Sequence, residues 1–171
     1  MAETTRYHRP MPESSSNAIA NLVERLAAAL LSRKLIMATA ESCTGGWISQ
    51  SLTALAGSSN WFDTGFVTYS NAAKQRLLNV PAELFMPDGP GAVSEATVRA
   101  MTAGAIANSR ATLAVAVSGI AGPDVAAGKN RWARSGLPGS GRTSLLHGAF
   151  CLLVIGRRCV LPRWLLRWRV V

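Results

Sequence analysis

Apolar residues fall into two alternating rhythms along the chain. Over 17–31, Ile19, Leu22, Val23, Leu26, Leu30 and Leu31 recur near a 3.6-residue period, which predicts an amphipathic packing helix capped by Ser15 or Ser16. Residues 34–40 (KLIMATA) form a short, nearly continuous apolar run and predict a buried strand. A polar turn, Glu41-Ser42-Cys43-Thr44-Gly45-Gly46, leads from it into a helix-compatible stretch ending near Leu55, which Gly57-Ser58-Ser59 breaks. A second strand is expected over 66–69 and a helix over 71–77. Pro81, Pro87, Gly89, Pro90 and Gly91 then make a loop, after which Ser94 caps a helix over 95–108. Residues 113–118 (LAVAVS) read as a third strand. Short strands alternating with helices, with no internal repeat, predict one α/β domain with a largely parallel or mixed sheet.

The chain's ends read differently. Residues 1–14 carry little periodic apolar surface and are expected to be a flexible extension of the domain that begins at residue 15. The segment AETTRYHRPMPESSSN lacks the apolar stretch of a signal peptide, so the expected location is cytoplasmic. Every apolar run is too short to span a membrane; the longest late one, AFCLLVI, stops at Gly156 and two arginines. Cys43, Cys151 and Cys159 make neither a disulfide framework nor a ligand set, and His8 and His147 stand alone, so neither metal nor cofactor is expected.

Charge changes the picture of the last quarter. The formal net charge is +9, yet residues 1–124 hold nine basic and nine acidic residues, whereas 125–171 hold nine basic residues and no acid. The basicity belongs to a tail rather than to a folded surface, which disfavours nucleic acid as the partner.

The segment best placed for chemistry is Ser42–Gly46. A hydroxyl beside glycines where a strand gives way to a helix lies next to free backbone N–H groups, which suits phosphate binding, an oxyanion hole, or simply a structural turn and cap. The Lys-Ser or Lys-Thr ending of a P-loop is missing, as is the G-x-S-x-G pattern of serine hydrolases.

Five signatures occur in order: Ala40-Glu41-Ser42-Cys43-Thr44-Gly45-Gly46, Gly57-Ser58-Ser59, the run Gly65 to Lys74 (GFVTYSNAAK), Gly91-Ala92-Val93-Ser94-Glu95, and Ser118-Gly119-Ile120-Ala121-Gly122-Pro123-Asp124. Together they make residues 34–124 resemble the CinA C-terminal family of nicotinamide-nucleotide amidases. The resemblance implies a three-layer α/β/α domain with a mixed sheet and hydrolysis of nicotinamide mononucleotide to nicotinic acid mononucleotide and ammonia. It also implies Ser42 as nucleophile, Lys74 as its base and Tyr69 as an assisting hydroxyl. A neutral, partly desolvated lysine is the base that such a serine needs, whereas an ordinary lysine faces solvent. Backbone N–H groups around Thr44, Gly45 and Gly46 are candidate oxyanion donors. Cys43 is a space-filler or a rival nucleophile; Asn71 caps a helix or holds substrate; Glu41 meets ribose hydroxyls or buried amides. Gly119 and Gly122 bring backbone to the nucleotide or merely turn the chain. An inactive nucleotide-binding remnant or a truncated product is the alternative, with nucleic-acid binding through the basic tail a weaker one, and homo-oligomerisation is left open.

After Asp124 the family resemblance gives way to VAAGKNRWARSGLPGSG, and the final strand and helix implied by the family are not recognisable. One allowed coding of residues 125–136, read two bases forward, yields Gly-Gly-Gly-Lys-Glu-Pro-Val-Gly-Thr-Val-Trp, a segment of the type the family implies there. The expectation is a shifted reading frame beginning near the Asp124 codon, leaving 125–171 as an atypical basic tail.

Overall fold

The structure, a computed structural model, describes residues 13–119 and 150–156, with side chains described over 16–119. Its first helix, α1 (Glu13–Ser32), starts earlier than the Ser15 or Ser16 cap expected, so both serines lie inside it. Strand β1 (Met37–Glu41) follows a turn in which Lys34 takes a φ of 52°. That turn uses up the first residues of the apolar run, so the strand begins three residues later than its pattern suggests.

Next come α2 (Trp47–Thr53) and β2 (Phe62–Val67). Strand β2 starts four residues before the expected 66–69 and ends before Tyr69. Helix α3 (Asn71–Leu78) is capped by Ser70, whose side chain accepts from the Ala73 N–H, and α4 (Glu95–Ala107) by Ser94, which accepts from Thr97. Each such cap contributes about 1 kcal/mol. Strand β3 (Leu113–Gly119) ends the continuous part.

Strand order is β2-β1-β3-β4, with β1 parallel to both neighbours. The fourth strand, β4 (Phe150–Gly156), pairs antiparallel with β3 from Leu113↔Gly156 to Gly119↔Phe150. This corrects the expectation that the tail holds no recognisable final strand: the FCLLVIG run supplies seven backbone partners to an edge of β3 that would otherwise be open. Of the extension expected over 1–14, residues 13 and 14 belong to α1, while 1–12, the final helix expected by analogy and Gly122 lie outside the described residues.

Alternation along the strands builds two cores. Ala38 and Ala40 of β1 with Ala114 and Ala116 of β3 face Leu78 of α3 and Val98, Met101 and Ala105 of α4. Met37 and Leu113, one residue out of phase, face Val23, Ala27 and Leu30 of α1, Leu52 of α2, and Trp61. Helices thus cover both faces of a mixed sheet, giving the three-layer α/β/α domain. Alanines on the α4 side let that helix sit close, while the opposite face is filled by Met, Leu and Trp. Parallel strands buried on both faces place their carboxyl ends together at one rim, the usual position for a site in such sheets.

Candidate active site

At that rim the chain leaves β1 through Glu41 and Ser42. Both peptides are pinned by extensions of the sheet ladder: the Thr68 N–H donates to the Glu41 carbonyl at 2.7 Å and the Ser42 N–H to the Val117 carbonyl at 3.1 Å. Beyond Ser42 the backbone turns tightly, with the Gly45 N–H donating to the Ser42 carbonyl at 3.0 Å. Gly45 and Gly46 have φ of 60° and 99°, and a Cβ at Gly46 would lie 3.1 Å from Val67 Cγ2. The left-handed conformation favours glycine at both positions, and the Val67 contact adds crowding at Gly46 alone.

Lys74, on the second turn of α3, is 1% exposed although it is a lysine. Its Nζ donates to Ser42 Oγ at 3.0 Å, to the Thr68 carbonyl at 2.9 Å and to the Tyr69 carbonyl at 3.1 Å. Among the described residues no carboxylate pairs with it, and burial pulls its pKa below the ordinary 10.5, against a smaller opposing pull from the Cys43 thiolate form. The three acceptors match the three N–H groups of an ammonium; once deprotonated, the amine would keep two N–H groups for the carbonyls and turn its lone pair to the Ser42 hydroxyl. Burial likewise pushes the Cys43 thiol up, with the Glu41 charge adding to it and the backbone N–H groups of Cys43 and Thr44 and the Lys74 charge opposing. Cys43 is therefore held as a thiol beside the serine.

Ser42, Cys43, Tyr69, Asn71 and Lys74 line a cavity of about 450 Å³ together with Gly91, Ala92, Val93, Ser118 and Gly119. The size suits a small-molecule ligand. Of the residues singled out in the sequence, Ser42, Lys74, Tyr69, Asn71 and Gly119 are brought together here. Tyr69 meets Lys74 through its carbonyl; the residue is 75% exposed and, among the described residues, its hydroxyl has no hydrogen-bond partner. Asn71 lines the cavity while Ser70 does the capping.

Glu41, Thr44, Gly45 and Gly46 do not line it. Glu41 is fully buried beneath the turn, accepting from Thr44, Ile48 and Ser49. The wall of 91–93 lies in the GAVSE signature, which by itself carries no sign of a binding role. It is fixed from behind: the Ser94 and Thr97 hydroxyls hold the Gly91 carbonyl, and the Ser118 hydroxyl donates to the Ala92 carbonyl at 2.8 Å. Among the described residues no three His, Cys, Asp or Glu gather as a metal site, and no helix is long and apolar enough to cross a membrane.

The fold and rim together define a class: an α/β/α domain with a serine–lysine pair opening into a cavity at the carboxyl ends of parallel strands. The chain belongs to the CinA C-terminal domain family, whose profile matches residues 19–132. The match begins inside α1 and runs eight residues past Asp124. Nicotinamide-nucleotide amidohydrolase PncC of Escherichia coli K12 is 50% identical over 103 residues, 60% of this chain and 61% of that protein. The PncC of Pseudomonas putida is 53% identical over 106 residues, 62% of this chain and 65% of that protein. The chain thus spans less than two thirds of either. The crystal structure of the competence/damage inducible protein CihA from Agrobacterium tumefaciens matches with a TM-score of 0.64 at 40% identity, covering 81% of this chain and 74% of that one.

Proposed function

We propose that the chain is an amidohydrolase that converts nicotinamide mononucleotide and water to nicotinic acid mononucleotide and ammonia. The observation that carries this reading is the 3.0 Å contact between Ser42 Oγ and the Nζ of a buried lysine. Kinship with proteins named nicotinamide-nucleotide amidohydrolase supports the choice of substrate.

In this mechanism neutral Lys74 takes the Ser42 proton as Oγ attacks the carboxamide carbon. The oxyanion is met by the turn's backbone, where the Cys43 N–H is the donor left, since the Ser42 and Gly45 N–H groups are given to the Val117 and Ser42 carbonyls and Thr44 does not line the cavity. Lys74 then returns the proton to the leaving nitrogen, ammonia departs, and Ser42 is left esterified. Water activated by the same amine cleaves the ester and releases the acid. Asn71, Gly119 and the Gly91–Ala92–Val93 wall hold the nucleotide, and Tyr69, exposed at the mouth, closes over it.

Ammonia release from nicotinamide mononucleotide tests the proposal. Ser42→Ala and Lys74→Ala should each lower turnover by at least about a hundredfold, while Cys43→Ala should retain it. Ligand binding without any turnover by the parent chain would favour the inactive remnant instead.

A further inference from the structure

Glu41 is a carboxylate with 0% exposure, one residue from the serine and outside the cavity. Its two oxygens are filled by donors from the start of α2. Oε2 accepts from the Thr44 hydroxyl at 2.8 Å and the Ile48 N–H at 2.9 Å; Oε1 accepts from the Ser49 N–H at 2.8 Å and the Ser49 hydroxyl at 2.5 Å. The Thr39 hydroxyl closes the network, 2.6 Å from Ser49 Oγ and 3.4 Å from Oε1. No lone pair direction is left for a ribose.

The cap residue of α2 is Gly46, which has no side chain to offer, and Glu41 supplies the missing cap from below. Space for this arrangement is made on the neighbouring strand: a Cβ at Gly65 would collide with Ser49 Oγ. We infer that Glu41 is the positioning residue of the nucleophile, its buried carboxylate tying the first turn of α2 to the end of β1 so that the Ser42–Gly46 turn is held rigid between them. The inference rests on the amidase reading for its kinetic consequence, though not for its geometry.

Every partner of Glu41 is a donor, so Glu41→Gln keeps the shape but turns an NH₂ toward N–H groups that cannot rotate away. Glu41→Asp keeps the charge on a shorter stem. The test uses the full chain and reads kcat and KM for ammonia release, the thermal midpoint, and the rate at which a fluorophosphonate labels Ser42. A misplaced nucleophile should lower kcat by about a hundredfold in Glu41→Gln with KM little changed, and slow labelling in parallel. Glu41→Asp should recover part of both. Should Glu41→Gln fail to fold, Ser49→Ala, which removes only one hydroxyl donor, should still lower kcat and labelling with KM held.

A raised KM with kcat retained would make Glu41 a substrate ligand and overturn the inference. So would a lowered midpoint with kcat and labelling unchanged in the folded fraction, since that describes a purely structural cap. If the parent labels at Ser42 but releases no ammonia, the amidase reading fails alone, and slowed labelling in Glu41→Gln still supports the positioning role. A parent inert to both overturns the two together.

Discussion

Lys74 shows how one residue type acquires a function from its surroundings. A lysine on an eight-residue helix would ordinarily face water, but Leu78, one turn further along α3, buries the same face, and the three acceptors around Nζ replace its hydration. Desolvation disfavours the ammonium, so the lone pair needed for proton removal becomes available below the ordinary lysine range. The folded-state pKa is depressed; below it the protein therefore carries a buried ammonium that cannot accept a proton. The kcat/KM for ammonia release should rise with pH through the lowered Lys74 pKa and level off before 10.5. A profile still climbing through the ordinary lysine value would show that the amine is not desolvated in the working enzyme. Glu41 has the opposite sign of consequence. Burial alone raises its pKa, but the bonds from Ser49, Ile48 and Thr44 outweigh this and lower it below 4.5. Its stabilisation is present above that value and is lost as pH falls through the folded-state pKa.

The elements meet through small residues, and that closeness is testable. Gly104 of α4 packs so tightly on the end of α3 that a Cβ would collide with the Leu78 carbonyl. Gly104→Ala should therefore destabilise the domain by about 1–3 kcal/mol, even though alanine favours helix, and should shift α3, which carries Lys74. Denaturant titration measures the first effect, and a gain in stability would show that the helices are looser than described. The helices and β3 were legible in the sequence because their signals are local: Ser94 ahead of Glu95, the 3.6-residue spacing in α1, the unbroken LAVAVS run. The start of strand β2 is hidden in the sequence because Asp63 and Thr64 interrupt its apolar pattern, and the register with β1 and the Arg110–Asp63 pair at 2.7 Å explain their presence. The pair Ser42 and Lys74 was legible through the motifs that contain them. The wall at 91–93 and the Thr39–Ser49–Gly65 support were not, since both depend on contacts between segments 10 to 26 residues apart.

For the whole molecule the open question is the origin of the last 47 residues. Parallel strands β1 and β2 are complete within the family-like segment, whereas β3 obtains its second partner from β4, inside the basic tail. An apolar run of nearly any sequence can occupy such an edge, because the pairing is made by backbone. We propose that the tail is read in a shifted frame that begins near the Asp124 codon, the PVGTVW-type segment being the family's own candidate for that edge. Sequencing the encoding DNA decides it: the alternate frame should encode a Pro-Val-Gly-Thr-Val-like run, and the frame-corrected protein should melt more cooperatively. An alternate frame without such a run would make the tail a genuine divergence.

The central claim, that Ser42 attacks the carboxamide with Lys74 as base, is tested most directly by trapping the intermediate. Rapid acid quench during turnover of nicotinamide mononucleotide, followed by mass spectrometry of the peptide containing Ser42, should find that peptide heavier by the substrate less ammonia. The adduct should be absent in Lys74→Ala. Ammonia release with no adduct on Ser42, or with the adduct on Cys43, would contradict the account.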